Sequence, residues 1–252
     1  MMAKDRLHVE QSFHDRQARE RAASFESTSA LGFADDWYLD HETWIRPALA
    51  RLGAVAGLPV LDYGCGHGMA AVVLARRGAN VTALDLSPGY LAEARRRAAA
   101  NGVRIAFVQA DAERLPFADG SFARIWGNAI LHHLDLRRAA RELHRVLQPG
   151  GIAVLCEPWG ANALLAWARR RLPYPGKERT PDEQPLLPQD VCLLRQVFPA
   201  LHIEGHQLLS MARRVLRPGR LVSGLQWCDS RLLRLAPSLE RFCRYVVLTL
   251  RR

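Results

Sequence analysis

The chain has 252 residues, of which 49% are hydrophobic and 24% charged, a composition typical of a globular protein with a sizeable core. No apolar run reaches the roughly 18 residues of a membrane-spanning helix. The first residues lack the apolar core of a signal peptide, so we expect a cytoplasmic protein. The five cysteines are scattered without a C-x-x-C pair, which argues against a disulfide framework and against a zinc site.

The formal charge of +10 is concentrated in the last third of the chain. Residues 1–162 contain 19 Arg and Lys against 18 Asp and Glu, whereas residues 163–252 contain 16 against 7. A basic segment of this kind suits an anionic membrane surface, an amphiphilic substrate or RNA.

The N-terminal segment has a helical, amphipathic pattern over residues 3–57, with aromatic residues that include Trp37, Tyr38 and Trp44. We expect residues 1–57 to form a helical cap. The cap either covers a ligand cleft as a lid or packs against the rest of the domain, and the pattern does not decide between the two.

Strand and helix patterns then alternate without interruption from residue 59 to residue 157. The predicted strands cover 59–64, 79–85, 103–110, 122–129 and 151–157, and the predicted helices cover 69–78, 87–102 and 135–150. Ser87 before Pro88 is typical of a helix start, and Gly102 is typical of a helix end. Apolar strands that alternate with helices predict a parallel sheet covered on both faces, a doubly wound α/β fold with ligands at the carboxyl ends of the strands.

The last third is less regular. Residues 173–188 form a proline-rich connector, and the run 241–252 predicts a final strand. We expect residues 58–252 to form one domain after the cap, with insertions on the substrate side within 159–238.

Three glycines follow the first strand, and their spacing limits what this turn can bind. Gly64, Gly66 and Gly68 have the pattern G-x-G-x-G, but the dinucleotide fingerprint requires a small residue at position 69, which is Met. The Gly-Lys-Ser/Thr triplet of a phosphate-binding P-loop does not follow. Asp62, directly before the glycines, would repel a phosphate but could pair with a cationic amine.

Two further acids lie at the ends of the next two strands. Asp85 is placed to accept hydrogen bonds from both hydroxyls of a ribose, and Asp111 is placed to accept one from the amine of an adenine. An amine, a ribose and an adenine together describe S-adenosylmethionine. A single acid at a strand end is also common as a structural cap. Three such acids, in order and in frame with the glycines, are a far more specific sign of this cofactor.

The segment from about residue 57 to 157 resembles the class I S-adenosylmethionine-dependent methyltransferases of the ubiquinone/menaquinone-biosynthesis type. The resemblance rests on VLDYGCGHG, ALDLS, QADAERLPFADGSF, NAILHHL and ELHRVLQPGGIAVLCE. It implies a Rossmann-like sheet of seven strands with the last strand antiparallel. The family usually has Phe-Asp where this chain has Phe122-Ala123, which puts a local salt bridge or cap in doubt.

Carried onto this chain, the resemblance and the strand-end acids predict S-adenosylmethionine as cofactor. The predicted cofactor-binding residues are Asp62, Tyr63, Gly64, Cys65, Gly66, Asp85, Leu86, Asp111, Ala112 and Asn128. Asn128 either contacts the cofactor or positions the acceptor.

Methyl transfer from a sulfonium is an in-line displacement, so the protein mainly aligns donor and acceptor and excludes water. A general base is useful only where the acceptor must lose a proton. The candidate catalytic residues are His132 and His133, just beyond the fourth strand, since histidine titrates in a suitable range. A structural role at the start of a helix is the alternative. The candidate substrate contacts are Trp37, Tyr38, Glu157 and Trp159.

Several missing motifs narrow the chemistry. The chain has no Asn/Asp-Pro-Pro-aromatic motif and no Pro-Cys dipeptide, so methylation of an adenine amine or of cytosine C5 is not indicated. Asn128 leaves the fourth strand without an Asp-Asp pair nearby, so we expect no catechol-type magnesium site and assign no metal ligands.

The acceptor and partners are predicted from the basic last third, where leucines and tryptophans lie beside Arg169, Arg170, Arg171 and the arginines between 213 and 234. This pattern favours a small, hydrophobic or lipid-like acceptor and a peripheral contact with an anionic membrane surface. An ordinary solvated basic face is the alternative. An RNA methyltransferase or RNA-binding protein is a less favoured function, because the segment is rich in leucine and has no RNA-binding motif. A non-catalytic protein that retains the fold stays open, and the oligomeric state is not predicted.

Overall fold

The computed structural model describes residues 3–23, 31–171, 184–214, 216 and 219–252, with side chains from residue 6 onward and without those of 168–170. Outside the described residues lie 24–30 of the predicted cap, most of the predicted connector 173–188, Arg217, and the side chains of Arg169 and Arg170.

Seven strands form one sheet. They are β1 (Pro59–Tyr63), β2 (Asn80–Asp85), β3 (Ala106–Gln109), β4 (Phe122–Asn128), β5 (Leu147–Pro158), β6 (His202–His206) and β7 (Tyr245–Arg251). Their order is β3-β2-β1-β4-β5-β7-β6. The pairs from β3 to β5 are parallel, and β7 is antiparallel to both of its neighbours. The predicted doubly wound fold with an antiparallel last strand is confirmed.

Nine helices accompany the strands in the described part of the chain. They are α1 (Ala3–Ala22), α2 (Asp35–Leu39), α3 (Ile45–Leu52), α4 (Met69–Arg76), α5 (Pro88–Ala100), α6 (Leu136–Val146), α7 (Ala163–Arg171), α8 (Pro188–Val197) and α9 (Arg220–Leu235). None of these described helices has both the length and the apolar character that crossing a bilayer requires.

Local sequence explains where the central helices begin. The Ser87 hydroxyl accepts a hydrogen bond from the Tyr90 amide at 3.1 Å, and Pro88 occupies the first position of α5. The Asp135 carboxylate accepts hydrogen bonds from the amides of Arg137 and Arg138, at 3.1 and 3.2 Å, and so caps α6. Both caps satisfy amides that the first turn of a helix leaves unpaired.

Each face of the sheet has its own apolar core. One core packs α6 and α8 against the sheet through residues such as Leu143, Leu194 and Leu248. The other packs α3 and α4 against the opposite face through residues such as Leu49 and Val73. From β1 the chain adds β2 and β3 on one side of the sheet, and then adds β4 and β5 on the other side of β1. The strand order therefore reverses between β1 and β4. In open α/β sheets a ligand crevice forms at this switch point.

Helix α1 lies against α5 through mainly polar contacts. Asp15 accepts hydrogen bonds from the Ser87 hydroxyl and the Gly89 amide, and Arg21 forms an ion pair with Glu93. Ala18 is buried on this helix. The helical pattern predicted for the N-terminal segment is present in α1, α2 and α3, whereas its division from the rest as a separate cap stays a prediction.

Two elements differ from the sequence-based expectation. Strand β5 begins at Leu147 and so includes the Gln-Pro-Gly-Gly turn that was expected to end the preceding helix. Strand β6, which contains Gly205, was not predicted, because a five-residue segment with two histidines and a glycine has no strand pattern of its own. It pairs with β7 along its whole length, so the neighbouring strand determines its conformation.

Candidate active site

A cavity of about 570 Å³ opens at the carboxyl ends of β1, β2 and β4, where the strand order reverses. This volume lies in the range of small-molecule sites. The predicted residues that line it are Asp62, Gly64, Cys65, Gly66, Asp85, Leu86, Asp111, Ala112, Asn128, His133, Trp37 and Tyr38. Tyr63, His132, Glu157 and Trp159 are not among the described residues that line it.

The glycine turn is shaped by close contacts on one side and open space on the other. Gly64, with φ +71°, would place a Cβ only 2.7 Å from the Ile130 side chain. Gly68, with φ +82°, would place one 2.8 Å from the Ala94 Cβ, so it allows α4 and α5 to approach closely. A Cβ on Gly66 would meet nothing within 4 Å, and Gly66 lines the cavity. The chain therefore leaves room beside Gly66 for a ligand.

Asp62 lines the cavity and has one buried carboxylate oxygen that receives no hydrogen bond from any described residue. Its Oδ2 atom has no hydrogen-bond partner among the described residues, although the side chain is almost fully buried. Burial and the neighbouring Asp85 raise the pKa of Asp62 to about 7. A buried carboxylate oxygen without a partner is unfavourable unless a ligand supplies one, and a cationic amine is the matching group.

Asp85 is held by the glycine turn itself. Its two carboxylate oxygens accept hydrogen bonds from the Gly66 amide at 2.7 Å and from the Ser87 amide at 2.9 Å. Burial raises the pKa of Asp85, while those two amides oppose the shift. Each oxygen keeps further acceptor capacity towards the cavity, as binding a pair of hydroxyls requires.

Asp111 and Ala112 line the cavity beyond the end of β3. The Glu113 amide donates to Asp111 Oδ1 at 2.8 Å, which fixes the turn. Tyr63 was predicted as a cofactor contact, but its ring is fully buried and its hydroxyl donates to the Ala112 carbonyl at 2.7 Å. The alternation of the strand turns the Tyr63 side chain away from the cavity, and its contact with the cofactor stays a prediction.

The two candidate histidines lie in a 3₁₀ turn, Leu131–His133, that follows β4, and they have different surroundings. His133 lines the cavity. His132 Nδ1 lies 2.7 Å from Glu157 Oε2, and Glu157 also accepts hydrogen bonds from the amides of Ile130 and Leu131. The side chains of His132 and Glu157 are buried and are not among the described residues that line the cavity, and their roles in catalysis and substrate binding stay predictions.

Aromatic rings form one wall of the cavity. Trp44 stacks on Tyr245 with ring centroids 3.8 Å apart, and its indole N–H donates to Asn128 Oδ1 at 3.4 Å. Trp37 and Tyr38 line the same cavity. Burial and the charge of Asp62 raise the pKa of the Tyr38 hydroxyl, so this wall adjoins the carboxylate that suits an amine. Trp159, by contrast, is buried where its backbone bridges to Leu186.

Other lining residues were not predicted from the sequence. Glu10 and His14 on α1 line the cavity, as do Trp44 and Tyr245. Glu10 and His14 are separated by four residues, a spacing that places them on one face of a helix. That signal was present in the sequence, but nothing in it indicated that this face meets the exit of β4.

Comparisons with known proteins agree with this geometry. Residues 60–151 match the family model described as a methyltransferase domain. The chain is 41% identical over 129 residues to a malonyl-[acyl-carrier protein] O-methyltransferase of Enterobacter lignolyticus, covering 49% of this chain and 50% of that one. It is 38% identical over 142 residues to a demethylmenaquinone methyltransferase of Thermus thermophilus, covering 53% and 64%. The alignments thus span half to just under two thirds of these relatives.

The whole fold also has solved counterparts. The PH0226 protein of Pyrococcus horikoshii superposes with a TM-score of 0.58 over 92% of this chain and 98% of its own, at 18% identity. At that identity the likeness concerns the fold alone. By the matched family model, residues 60–151 form a methyltransferase domain, and the acids at three successive strand ends agree with the class I, S-adenosylmethionine-dependent type.

Proposed function

We propose that this chain transfers the methyl group of S-adenosylmethionine to a small hydrophobic or lipid-like acceptor. The observation that carries the proposal is a single cavity in which a buried, unpartnered Asp62 oxygen lies beside an aromatic wall. The carboxylate suits the cationic amino acid end of the cofactor, and the wall suits an apolar acceptor.

The residues present fit this cofactor. Asp62 would accept from its amine, Asp85 from its ribose hydroxyls and Asp111 from its adenine amine, while the space beside Gly66 admits it close to the backbone. When bound, the cofactor supplies an activated methyl group.

The chain's own contribution is alignment and the exclusion of water. Trp44, Tyr245 and Asn128 would orient the acceptor at the end of β4. His133 would accept a proton from an acceptor that must lose one, since it is the histidine of the pair that faces the cavity.

The names of two relatives point to chemically different acceptors. One relative is named for a malonyl group on an acyl-carrier protein and the other for demethylmenaquinone. The aromatic wall of this chain favours a ring or an apolar chain over a strongly charged acceptor.

Calorimetric titration with S-adenosylhomocysteine tests the cofactor assignment. We expect one site per chain, and Asp85→Ala should weaken binding by about 100-fold or more, since it removes charge-assisted hydrogen bonds. Asp119→Ala, an acid exposed on the surface, should bind as the wild type does. Equal affinity of the Asp85 variant and the wild type would refute the assignment.

Incubation with labelled cofactor and an extract of source cells tests the acceptor. The proposal expects label in a small organic compound that mass spectrometry identifies. Label in RNA would replace it with the RNA methyltransferase alternative. Cofactor binding without labelled product in any fraction would instead favour a non-catalytic protein that retains the fold.

We also propose that α9 contacts an anionic membrane surface, because its apolar stripe faces outward. Leu221, Leu225, Cys228, Leu232 and Leu235 follow the spacing of one helical face, and each is exposed or only partly buried. The inward face is polar at its centre, where buried Asp229 accepts hydrogen bonds from the amides of Leu208, Leu209 and Ser210.

The charges around this stripe select a negative partner. Arg220, Arg231 and Arg234 are exposed on α9, and the only acid of the helix, Asp229, is buried. Trp227 is 61% exposed beside Arg231, whose guanidinium lies 5.2 Å from the centre of its ring. Leucine, tryptophan and arginine together are typical of a helix that lies in a membrane interface.

Vesicle sedimentation tests this contact. We expect the wild type to bind vesicles that contain phosphatidylserine and to bind vesicles of phosphatidylcholine alone only weakly. The double variant Leu221→Ser/Trp227→Ala should bind the phosphatidylserine vesicles with about tenfold lower affinity. Val9→Ser, an exposed apolar residue on α1, is the control. Equal binding of the α9 variant and the wild type would exclude this surface, and preferential binding to RNA over vesicles would favour a nucleic-acid partner.

A further inference from the structure

Three potential metal ligands meet at the rim of the cavity. Glu10 and His14 project from α1, and His133 projects from the 3₁₀ turn after β4. Glu10 Oε2 lies 3.3 Å from His133 Nδ1 and 3.5 Å from His14 Nε2. The three donor atoms all lie within 4.8 Å of one another.

These distances are compatible with coordination of one ion by the three side chains. A charge-assisted hydrogen bond between an imidazole and a carboxylate is about 2.7–2.9 Å long. By contrast, donor atoms held at about 2.0–2.1 Å in a tetrahedral shell lie about 3.3–3.4 Å apart. The two separations from Glu10 are close to the second figure, and the donor atoms of His14 and His133 lie within 4.8 Å of each other, so the three side chains lie near enough to bind one ion.

The surroundings of the cluster hold it in place. The Arg6 guanidinium donates to the His133 carbonyl at 2.7 Å and forms an ion pair with Glu113, which fixes the 3₁₀ turn relative to α1. Glu10 is 7% exposed, so little water competes for its carboxylate. Asp85 lies close enough to act electrostatically on His14, which adds negative charge to the neighbourhood. All three ligands line the cavity, so further coordination positions would open into it.

We propose that Glu10, His14 and His133 form a binding site for a divalent transition-metal ion of the zinc type. Two imidazoles and one carboxylate suit such an ion, whereas magnesium and calcium prefer oxygen ligands alone. Water or an oxygen atom of the acceptor would complete the shell from the cavity side. The ion would also join α1 to the exit of β4. This site does not rest on methyl transfer. With the ion bound, His133 Nδ1 is a ligand and its other ring nitrogen carries the proton, so the metal-bound state excludes the role of His133 as a proton acceptor.

Titration of the full chain, freed of metal, with Co²⁺ tests the site by spectroscopy. We expect one equivalent to bind with the visible bands of a nitrogen and oxygen shell and without the thiolate-to-cobalt charge-transfer band, which separates this site from the free cysteines. Glu10→Gln and His14→Ala should each weaken Zn²⁺ binding about 100-fold or more, since even supporting residues contribute 10–100-fold.

Two surface positions of the same helix supply matched controls. Glu20→Gln and His8→Ala remove the same groups from exposed positions of α1 and should bind Zn²⁺ as the wild type does. Circular dichroism confirms that the variants are folded. Zn²⁺ should raise the melting temperature of the wild type and of the controls but not of the two ligand variants.

Two results would overturn the proposal: wild-type protein that binds Zn²⁺ no more tightly than Glu10→Gln, or a cobalt spectrum dominated by thiolate bands. The three residues would then form only a polar contact that holds α1 in place. All these measurements are made without cofactor, so their outcome is independent of the titration with S-adenosylhomocysteine.

Discussion

His132 and Glu157 form a buried pair in which the imidazole Nδ1 lies 2.7 Å from the carboxylate Oε2. Glu157 comes from β5 and His132 from the turn after β4, so the pair joins two neighbouring strand ends. The amides of Ile130 and Leu131 donate to the other oxygen of the same carboxylate. This network shapes the turn that directs the adjacent His133 into the cavity.

Removing the Glu157 carboxylate should therefore reduce stability. Glu157→Ala leaves two buried amides and the His132 ring without an acceptor, and we expect a loss of about 3 kcal/mol or more in the free energy of unfolding. Urea denaturation followed by circular dichroism measures it. Glu204→Ala is the control, since this half-buried strand residue pairs with the exposed Arg51 and should cost about 1 kcal/mol or less. Equal losses in the two variants would contradict a structural role for the pair.

Asp62 should destabilise the protein without cofactor at alkaline pH. The folded chain keeps a proton on Asp62 up to about pH 7, whereas an unperturbed aspartate releases it near 3.8, so raising the pH between these values favours unfolding. Asp62→Asn should consequently be more stable than the wild type at pH 8, by about 2–4 kcal/mol, and equally stable near pH 4. Thermal unfolding at both pH values checks this, and a less stable variant at pH 8 would show that the carboxylate is satisfied in the folded chain.

The same group should make cofactor binding depend on pH. A protonated Asp62 cannot pair with the cofactor amine, so affinity for S-adenosylhomocysteine should fall about tenfold for each pH unit below about 7 and stay level above it. Burial also raises the pKa of Asp85, which can add to the fall at lower pH. Calorimetry between pH 5.5 and 8.5 (roughly one to two units either side of the Asp62 pKa) measures the slope. Asp62→Asn should bind weakly with a flatter profile, and an unchanged slope in that variant would assign the dependence to another group.

Gly68 should tolerate alanine far less than Gly102 does. Both have positive φ, +82° and +66°, but a Cβ on Gly68 would lie 2.8 Å from the Ala94 Cβ and 3.1 Å from its Cα, whereas one on Gly102 meets open space. We expect Gly102→Ala to cost about 1–2 kcal/mol from backbone strain and Gly68→Ala about 3 kcal/mol, since overpacking adds to strain. Chemical denaturation of both variants compares them directly. Equal losses would mean that α4 and α5 separate without penalty.

Substitution of Trp37 should lower methyl transfer to the acceptor without lowering the stability of the fold. Its ring lines the cavity yet is 63% exposed, so Trp37→Ala should leave the melting temperature unchanged. Methyl incorporation from labelled cofactor into extract should fall about five- to tenfold, as expected for the loss of one aromatic contact. Trp167→Ala removes another exposed tryptophan, 51% exposed on α7, which is not among the described residues that line the cavity. A matching fall in that control would show that the effect is not specific to the cavity.

The alternation of apolar strands and helices from Pro59 to Glu157, with Ser87 and Pro88 at a helix start, was sufficient to predict the doubly wound fold. These features act through neighbours a few residues apart, which is why they are readable along the chain. The acids Asp62, Asp85 and Asp111 were equally readable, because strand ends in a parallel sheet meet at one edge. For the same reason the cofactor could be predicted before its cavity was described.

Tertiary packing decided the rest. His132 and His133 are adjacent in sequence, yet only the position of Glu157 one strand away directs one ring into the protein and the other into the cavity. Trp44 and Tyr245 stack across 200 residues of chain, and Glu10 and His14 meet His133 only because α1 folds back over the strand ends. Contacts between residues far apart in sequence depend on how whole elements pack, and no local pattern of residue types records that arrangement.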